Sequence, residues 1–130
     1  MSVTRDILIG SSGPIERLAS DLNAALTPDV PLTIKTVDSP TGSWLIAEGY
    51  AKPYPLVLMD TTWYEDETGR ADGLGWLLEL HCRLRPGEEH ASFEARCDAD
   101  ALTAMRRISA ALRTRCVALS NLQTFLGEAP

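Results

Sequence analysis

The sequence has no long apolar run, and this excludes a membrane-spanning helix, which needs about 18 consecutive apolar residues. The first six residues carry a single arginine and are followed by only three consecutive apolar residues, Ile7, Leu8 and Ile9, before Gly10. This stretch is too short for the apolar core of a secretory signal peptide. We therefore expect a soluble protein of the cytoplasm.

Cysteine and histidine are scarce. The chain has three cysteines, Cys82, Cys97 and Cys116, and two histidines, His81 and His90. An odd number of cysteines without a CxxC spacing, in a chain without an export signal, predicts reduced and buried thiols. The HExxH, GxSxG and calcium-loop patterns are also absent. The sequence therefore favours a protein with no metal, no cofactor and no catalytic residues.

The signatures of phosphate-binding loops are missing too. Gly10–Gly13 lies between a predicted strand and a predicted helix, but it matches neither the GxGxxG pattern nor a Walker loop with its lysine. Pro14 also removes one N–H group from the first helical turn. We interpret the segment as an ordinary helix start, with a phosphate cradle as the alternative.

Positive charge is in short supply. Twelve basic residues stand against eighteen acidic ones, for a net charge of −6, and the ten arginines and two lysines suggest a GC-rich bacterial source. Residues 38–100 carry five basic and thirteen acidic side chains. Such a segment repels nucleic acid and anionic membranes, so the charge favours a basic partner. The alternative is that the charge serves solubility alone.

The 130 residues are enough for one domain with its own core. Apolar residues at helical spacing predict a helix from Pro14 to Thr27, ended by Pro28. Short β-rich stretches predict strands, which are Arg5–Gly10, Leu32–Val37, Trp44–Glu48 and Leu56–Asp60.

Alternation of apolar and polar residues predicts a hairpin of two strands, Trp76–Arg85 and His90–Cys97, joined by Pro86–Glu89. Its register places Glu79 opposite Arg96 and His81 opposite Glu94. A long final helix is then predicted from an N-cap at Asp98 through Leu119.

This order predicts one α+β domain over residues 1–130. We expect a two-layer sandwich whose mostly antiparallel sheet has about five to six strands. An N-terminal helix and a long C-terminal helix should cover one face.

The candidate interaction site is the acidic segment between the strand that ends at Asp60 and Gly73. Aromatic side chains beside acids are typical of interfaces, although Trp63 can instead pack into the core. The predicted partner-binding residues are Asp60, Trp63, Tyr64, Glu65, Asp66, Glu67 and Asp72.

In size, acidity and order of elements, the chain is similar to bacterial immunity proteins and type III secretion chaperones, a similarity of class that no motif carries. It implies a non-enzymatic, cytoplasmic protein-binding module whose partner is a basic toxin or secreted effector. One alternative is a small enzyme or ligand-binding domain with Asp60, His81 and Glu94 in a polar cleft between sheet and helices. Another is a homodimer formed through a sheet face or edge.

Overall fold

The computed structural model describes residues 3–11, 13–62, 69 and 73–130. Over these residues the chain forms seven strands and two helices. The strands are β1 (Val3–Ile9), β2 (Val30–Ser39), β3 (Gly42–Ala51), β4 (Tyr54–Asp60), β5 (Trp76–Cys82), β6 (Cys116–Ser120) and β7 (Thr124–Ala129). The helices are α1 (Ile15–Leu26) and α2 (His90–Leu112).

The strands form one sheet in the order β2-β3-β4-β5-β1-β6-β7, and every neighbouring pair is antiparallel. The predicted α+β class is confirmed. The sheet has seven strands, however, rather than five to six, and two of them follow the second helix. The helix we expected at the C-terminus is therefore internal.

Both helices pack on the same face of the sheet. Helix α1 buries residues at helical spacing and ends at Thr27, whose left-handed backbone donates its N–H to the Asn23 carbonyl. The core between the layers takes alternate residues of the strands, such as Ile7 and Ile9 of β1 and Leu78 of β5. The opposite face has no helix over it among the described residues; we call it the open face.

The predicted hairpin is wrong in its second half, because His90–Cys97 forms the first turns of α2. Phe93 and Cys97 are buried, as the strand pattern required, but they lie four residues apart and so also share one face of a helix. Buried positions continue with that spacing at Ala101 and Met105. Ala91 is exposed, which a strand with that apolar face would not allow.

The cross-strand pairs predicted from that hairpin do not form. Strand β5 pairs instead with β4 and β1, and this pairing places Glu79 opposite Asp6 and His81 opposite Thr4. Arg96 binds Glu88 through two hydrogen bonds of 2.9 Å.

The predicted final helix is also wrong at both ends. Asp98 lies inside α2 rather than at its N-cap, and α2 ends at Leu112, before Arg113 in a left-handed conformation. Cys116–Ser120 is strand β6, between β1 and β7. Its first four residues are all buried, as expected for a strand covered on both faces.

A buried ion pair joins the central strand to α2. The Arg5 side chain is fully buried; its Nε donates to Asp98 Oδ1 at 2.6 Å, and its Nη2 donates to a carboxylate oxygen of Glu94. Burial lowers the pKa of Arg5, but the hydrogen bonds to Asp98 and Glu94 outweigh this and raise it above its usual value. The guanidinium therefore stays charged inside the protein.

We expect this ion pair to be essential for stability. The double variant Glu94→Gln/Asp98→Asn leaves the buried guanidinium without a carboxylate, and the free energy of unfolding should fall by about 3–5 kcal/mol. Urea denaturation measures this loss. The control Asp21→Asn, at an exposed position of α1, should change stability by less than about 0.5 kcal/mol. A double variant as stable as the wild type would contradict the role of Arg5.

Candidate functional site

The open face of the sheet is built by the strand residues that alternate with those of the core. On the two central strands these are Thr4, Asp6 and Leu8 of β1 and Leu77, Glu79 and His81 of β5. Strands β3 and β4 add a further row, formed by Trp44, Ile46, Glu48, Tyr50, Val57 and Met59.

One end of the open face is apolar and closed to solvent. Leu8, Leu77, Val117 and Leu119 are fully buried there, and Leu74 packs among them. Leu74 comes from the connection between β4 and β5, so the end of this connection lies on the open face. The connection is closed at its base by Thr61, which donates its N–H to the Gly75 carbonyl and its hydroxyl to the Leu74 carbonyl.

Asp6 is a fully buried carboxyl group on the same face. Its Oδ2 accepts hydrogen bonds from the Leu122 N–H at 2.8 Å and the Thr4 hydroxyl at 3.2 Å, whereas its Oδ1 has no partner within the described ranges. Burial raises the pKa of Asp6 to about 7, and the nearby Glu79 carboxylate adds to this, although the Leu122 N–H opposes it. At neutral pH, Asp6 is thus poised between its protonated and ionised forms.

Glu79 and His81 flank Asp6 on the neighbouring strand. The Nε2 atom of His81 lies 3.4 Å from Glu79 Oε1, but the two are not aligned for a hydrogen bond, and Nε2 is buried without a partner. The Glu79 side chain is 17% exposed and the His81 side chain is 34% exposed. Both therefore reach solvent next to the buried carboxyl group of Asp6.

The other end of the open face lies on the β2–β3 hairpin. Trp44 pairs with Val37 and is 46% exposed. Nearby, Lys35 forms an ion pair of 2.9 Å with Glu48. The hairpin also exposes Ile34 and Leu45 on its other side, beyond the reach of the helices.

Of the predicted partner-binding residues, only Asp60 lies in the described part of the chain. Its Oδ1 accepts hydrogen bonds from the N–H and the hydroxyl of Thr62 at 3.2 and 2.7 Å, so this carboxylate holds a turn at the end of β4. The others lie outside the described residues and remain predictions. They are Trp63, Tyr64, Glu65, Asp66, Glu67 and Asp72.

The alternative set of Asp60, His81 and Glu94 is not brought together. His81 is on the open face, while Glu94 lies on α2, which covers the other face, and binds Arg5 there. Between the sheet and the helices there is a cavity of about 220 Å³ with a different lining, which includes Tyr54 and Asp100. The Tyr54 hydroxyl donates to Asp100 and accepts from Arg96 at 3.0 Å; burial and Asp100 raise its pKa, so it stays protonated.

The glycine-rich segment has a structural role. Gly10 packs against Thr114, whose hydroxyl donates to the Gly10 carbonyl, and a Cβ atom on Gly10 would lie 3.1 Å from that hydroxyl oxygen. The groove beside it, of about 700 Å³, is lined by Arg17, Arg113 and Asp21 among others. This close packing explains why position 10 is a glycine; the ordinary helix start and the alternative of a phosphate cradle both stay predictions.

The cysteines are buried and unpaired, as predicted. Burial raises the pKa of the Cys82 and Cys116 thiols to about 12, so neither is a thiolate near neutral pH. In the described part of the chain, no three His, Cys, Asp or Glu side chains are placed to hold a metal ion. Neither helix there is long and apolar enough to cross a membrane.

The pairing of Asp6 with Glu79 was missed in the sequence because it depends on β1 and β5, which are distant in the chain. The signal available was local: Asp6 stands beside three consecutive apolar residues of a strand. No protein-family model and no curated protein matches this sequence.

The raised pKa of Asp6 predicts a pH-dependent stability. An unfolded aspartic acid ionises near pH 4 but the folded one only near pH 7, so Asp6 favours folding below pH 4 and loses this contribution as the pH rises to 7. The free energy of unfolding of Asp6→Asn, relative to that of the wild type, should therefore rise by about 2–4 kcal/mol as the pH increases from 4 to 8. Urea denaturation across this range measures the gain.

The Asp6 carboxyl carbon can also be titrated directly by ¹³C NMR. A midpoint near pH 7 is expected, and a midpoint below about pH 5 would contradict the burial argument.

Proposed function

We propose that the protein is a non-enzymatic protein-binding module that holds a basic protein partner on the open face of its sheet. The observation that carries this proposal is the combination on the open face of an exposed tryptophan with carboxylates that form no ion pair with a described lysine or arginine. Trp44 supplies the aromatic, and the buried Asp6 and the 17%-exposed Glu79 supply the acids.

The charge on this face favours a basic partner. The strands place four carboxyl groups on it; Lys35 pairs with Glu48 and Arg115 with Glu128, so Asp6 and Glu79 are left without an ion pair to a described lysine or arginine. The acids are Asp6, Glu48, Glu79 and Glu128. An excess of one sign on a surface accelerates the encounter with a partner of opposite charge and repels partners of the same sign.

The apolar part supplies contact area. Trp44 is nearly half exposed at the far end of a hairpin, Ile46 follows it on the same face, and Tyr50 and Val57 lie farther along that face. Partly exposed tryptophan is the residue type most enriched among side chains that dominate binding energy. Charge and aromatic contact together support an interface rather than an inert solvated surface.

The class of protein we propose is that of immunity proteins and secretion chaperones acting in the cytoplasm, with a toxin or a secreted effector as the partner. The acidic segment from Trp63 to Asp72 would form a second contact with this partner. Its role rests on the sequence alone.

A ligand-binding function is the second candidate, and the cavity beside Tyr54 and Asp100 supports it. A screen of metabolites by thermal denaturation tests this alternative. A ligand that raises the melting temperature of the wild type by several degrees, and fails to do so for Tyr54→Phe, would favour it.

The other alternative was a homodimer formed through a sheet face or edge. Light scattering, which measures the molecular mass in solution, tests it.

The first experiment is affinity capture with tagged protein in a lysate of the native host, at low and then at high salt. Mass spectrometry identifies what is eluted. The proposal expects one stoichiometric basic protein whose retention falls with salt. It is then purified for kinetics.

Binding kinetics of that partner test the two parts of the interface separately. Trp44→Ala should increase the dissociation rate at least about tenfold. The matched control Leu84→Ala removes an equally exposed apolar side chain from outside the sheet and should have little effect. Equal effects of the two variants would contradict an interface at Trp44.

Charge reversal tests the acidic segment. Glu65→Lys/Asp66→Lys should slow association about tenfold at low salt and reduce its salt dependence. The control Glu16→Lys/Asp21→Lys makes the same change of charge on the exposed side of α1. If both variants slow association equally, only net charge matters and the segment is not a contact.

A further inference from the structure

Two buried polar atoms on the open face, Asp6 Oδ1 and His81 Nε2, have no hydrogen-bond partner among the residues that the structure describes. They belong to neighbouring strands, where Asp6 is opposite Glu79 and His81 is opposite Thr4. Asp6 and His81 are thus diagonal neighbours on one face, with Glu79 between them. Buried polar groups in folded proteins nearly always have partners, so two orphans side by side indicate a missing one.

We propose that Asp6, Glu79 and His81 form a receptor for one basic side chain, the guanidinium or ammonium group of the protein partner. This inference rests on the proposed function and specifies the chemistry of its contact. A group with several N–H donors and a positive charge can donate to the carboxylate oxygens and to the unpartnered Nε2 atom of His81 at once. Glu79 and His81, which reach solvent, form the entrance above the buried Asp6 oxygen.

The charges around the site support a cation. Cβ atoms of directly opposed residues are about 5 Å apart, so the carboxyl groups of Asp6 and Glu79 repel each other when both are ionised. Arg5, the sequence neighbour of Asp6, points to the other face and is held by Glu94 and Asp98. A basic group arriving from outside therefore meets two acids that form no ion pair with any lysine or arginine in the described part of the chain.

A metal ion fits the site less well than an N–H donor. Within the described ranges, no three acidic, histidine or cysteine side chains converge as metal ligands. The Oδ2 atom of Asp6 also accepts hydrogen bonds from the Leu122 N–H and the Thr4 hydroxyl, which leaves only Oδ1 as a ligand. A guanidinium group does not need acceptors that converge on one point, because its N–H donors are spread over several nitrogen atoms.

The first test uses methylguanidinium chloride as a probe at constant ionic strength, with uncharged N-methylurea as its isosteric control. The carboxyl carbons of Asp6 and Glu79 are followed by ¹³C NMR. We expect a saturable shift with methylguanidinium at millimolar concentration and none with N-methylurea. Equal responses to both compounds would overturn the receptor.

Variants locate the probe on the sheet. Glu79→Gln should weaken methylguanidinium binding at least about tenfold. The matched control is Glu48→Gln, which makes the same change on the same face two strands away, opposite Val57, and should leave binding within about twofold. Asp6→Asn, which preserves an acceptor for the Leu122 N–H, should weaken binding as well. Equal weakening by Glu79→Gln and Glu48→Gln would overturn the assignment.

Dissociation rates of the captured partner distinguish a failure of this inference from a failure of the proposed function. Faster dissociation from Glu79→Gln than from Glu48→Gln supports the receptor. A partner that leaves both variants at the wild-type rate overturns the receptor but not the proposed function. If the wild-type chain has no protein partner at all, the proposed function fails, and the probe titration alone decides whether the cation site exists.

Discussion

The buried ion pair of Arg5 with Glu94 and Asp98 fixes the position of β1, the strand on which the rest of the sheet depends. β1 lies between β5 and β6 and has α2 above it. Successive residues of a strand point to opposite faces, so directing Arg5 toward α2 directs Asp6 to the open face. A shift by one residue would place Asp6 beside the two carboxylates of α2 and leave Arg5 without them.

The same alternation explains why the open face has an unbalanced charge. Arg5 and Asp6 are neighbours in sequence, but their side chains lie on opposite faces of the sheet. The positive charge of Arg5 is paired with Glu94 and Asp98 on the face that the helices cover. Asp6 is left with neutral donors and with Glu79 opposite it. Its elevated pKa is the electrostatic result of this separation. Sites of function are often where a fold retains such unfavourable burial.

Local patterns were sufficient for the elements in the first half of the chain. Helix α1 has a clear apolar stripe and a proline after it, and the predicted bounds agree with Ile15–Leu26 to within a residue. Residues 90–97 were misread because Phe93 and Cys97 satisfy both the period of a strand and that of a helix. The exposed Ala91 and Ala95 decide between the two only once the packing is known. β6 was misread because four consecutive buried residues, Cys116–Leu119, contain no period at all.

The candidate site was harder to predict than the fold, for a physical reason. Helices and turns depend on neighbours in sequence, whereas the Asp6–Glu79 pair depends on which distant strands become partners. The acidity of the chain was visible in its composition, and the basic partner that we propose was inferred from it. The position of the acids relative to Trp44 was not, because the hairpin that carries it reaches the open face only through the sheet order.

Exposed and buried acids act at different stages of binding a basic protein. Exposed charges act over about 8 Å in physiological salt, and they therefore accelerate encounter without selecting a geometry. Asp6 is fully buried and Glu79 is only 17% exposed, so their attraction is weakly screened but is available only to a group that reaches them. A partner guided by the acidic surface would then be retained only if a basic side chain falls at this position of the sheet. In the function we propose, the fold would thereby separate the rate of encounter from the specificity of the complex.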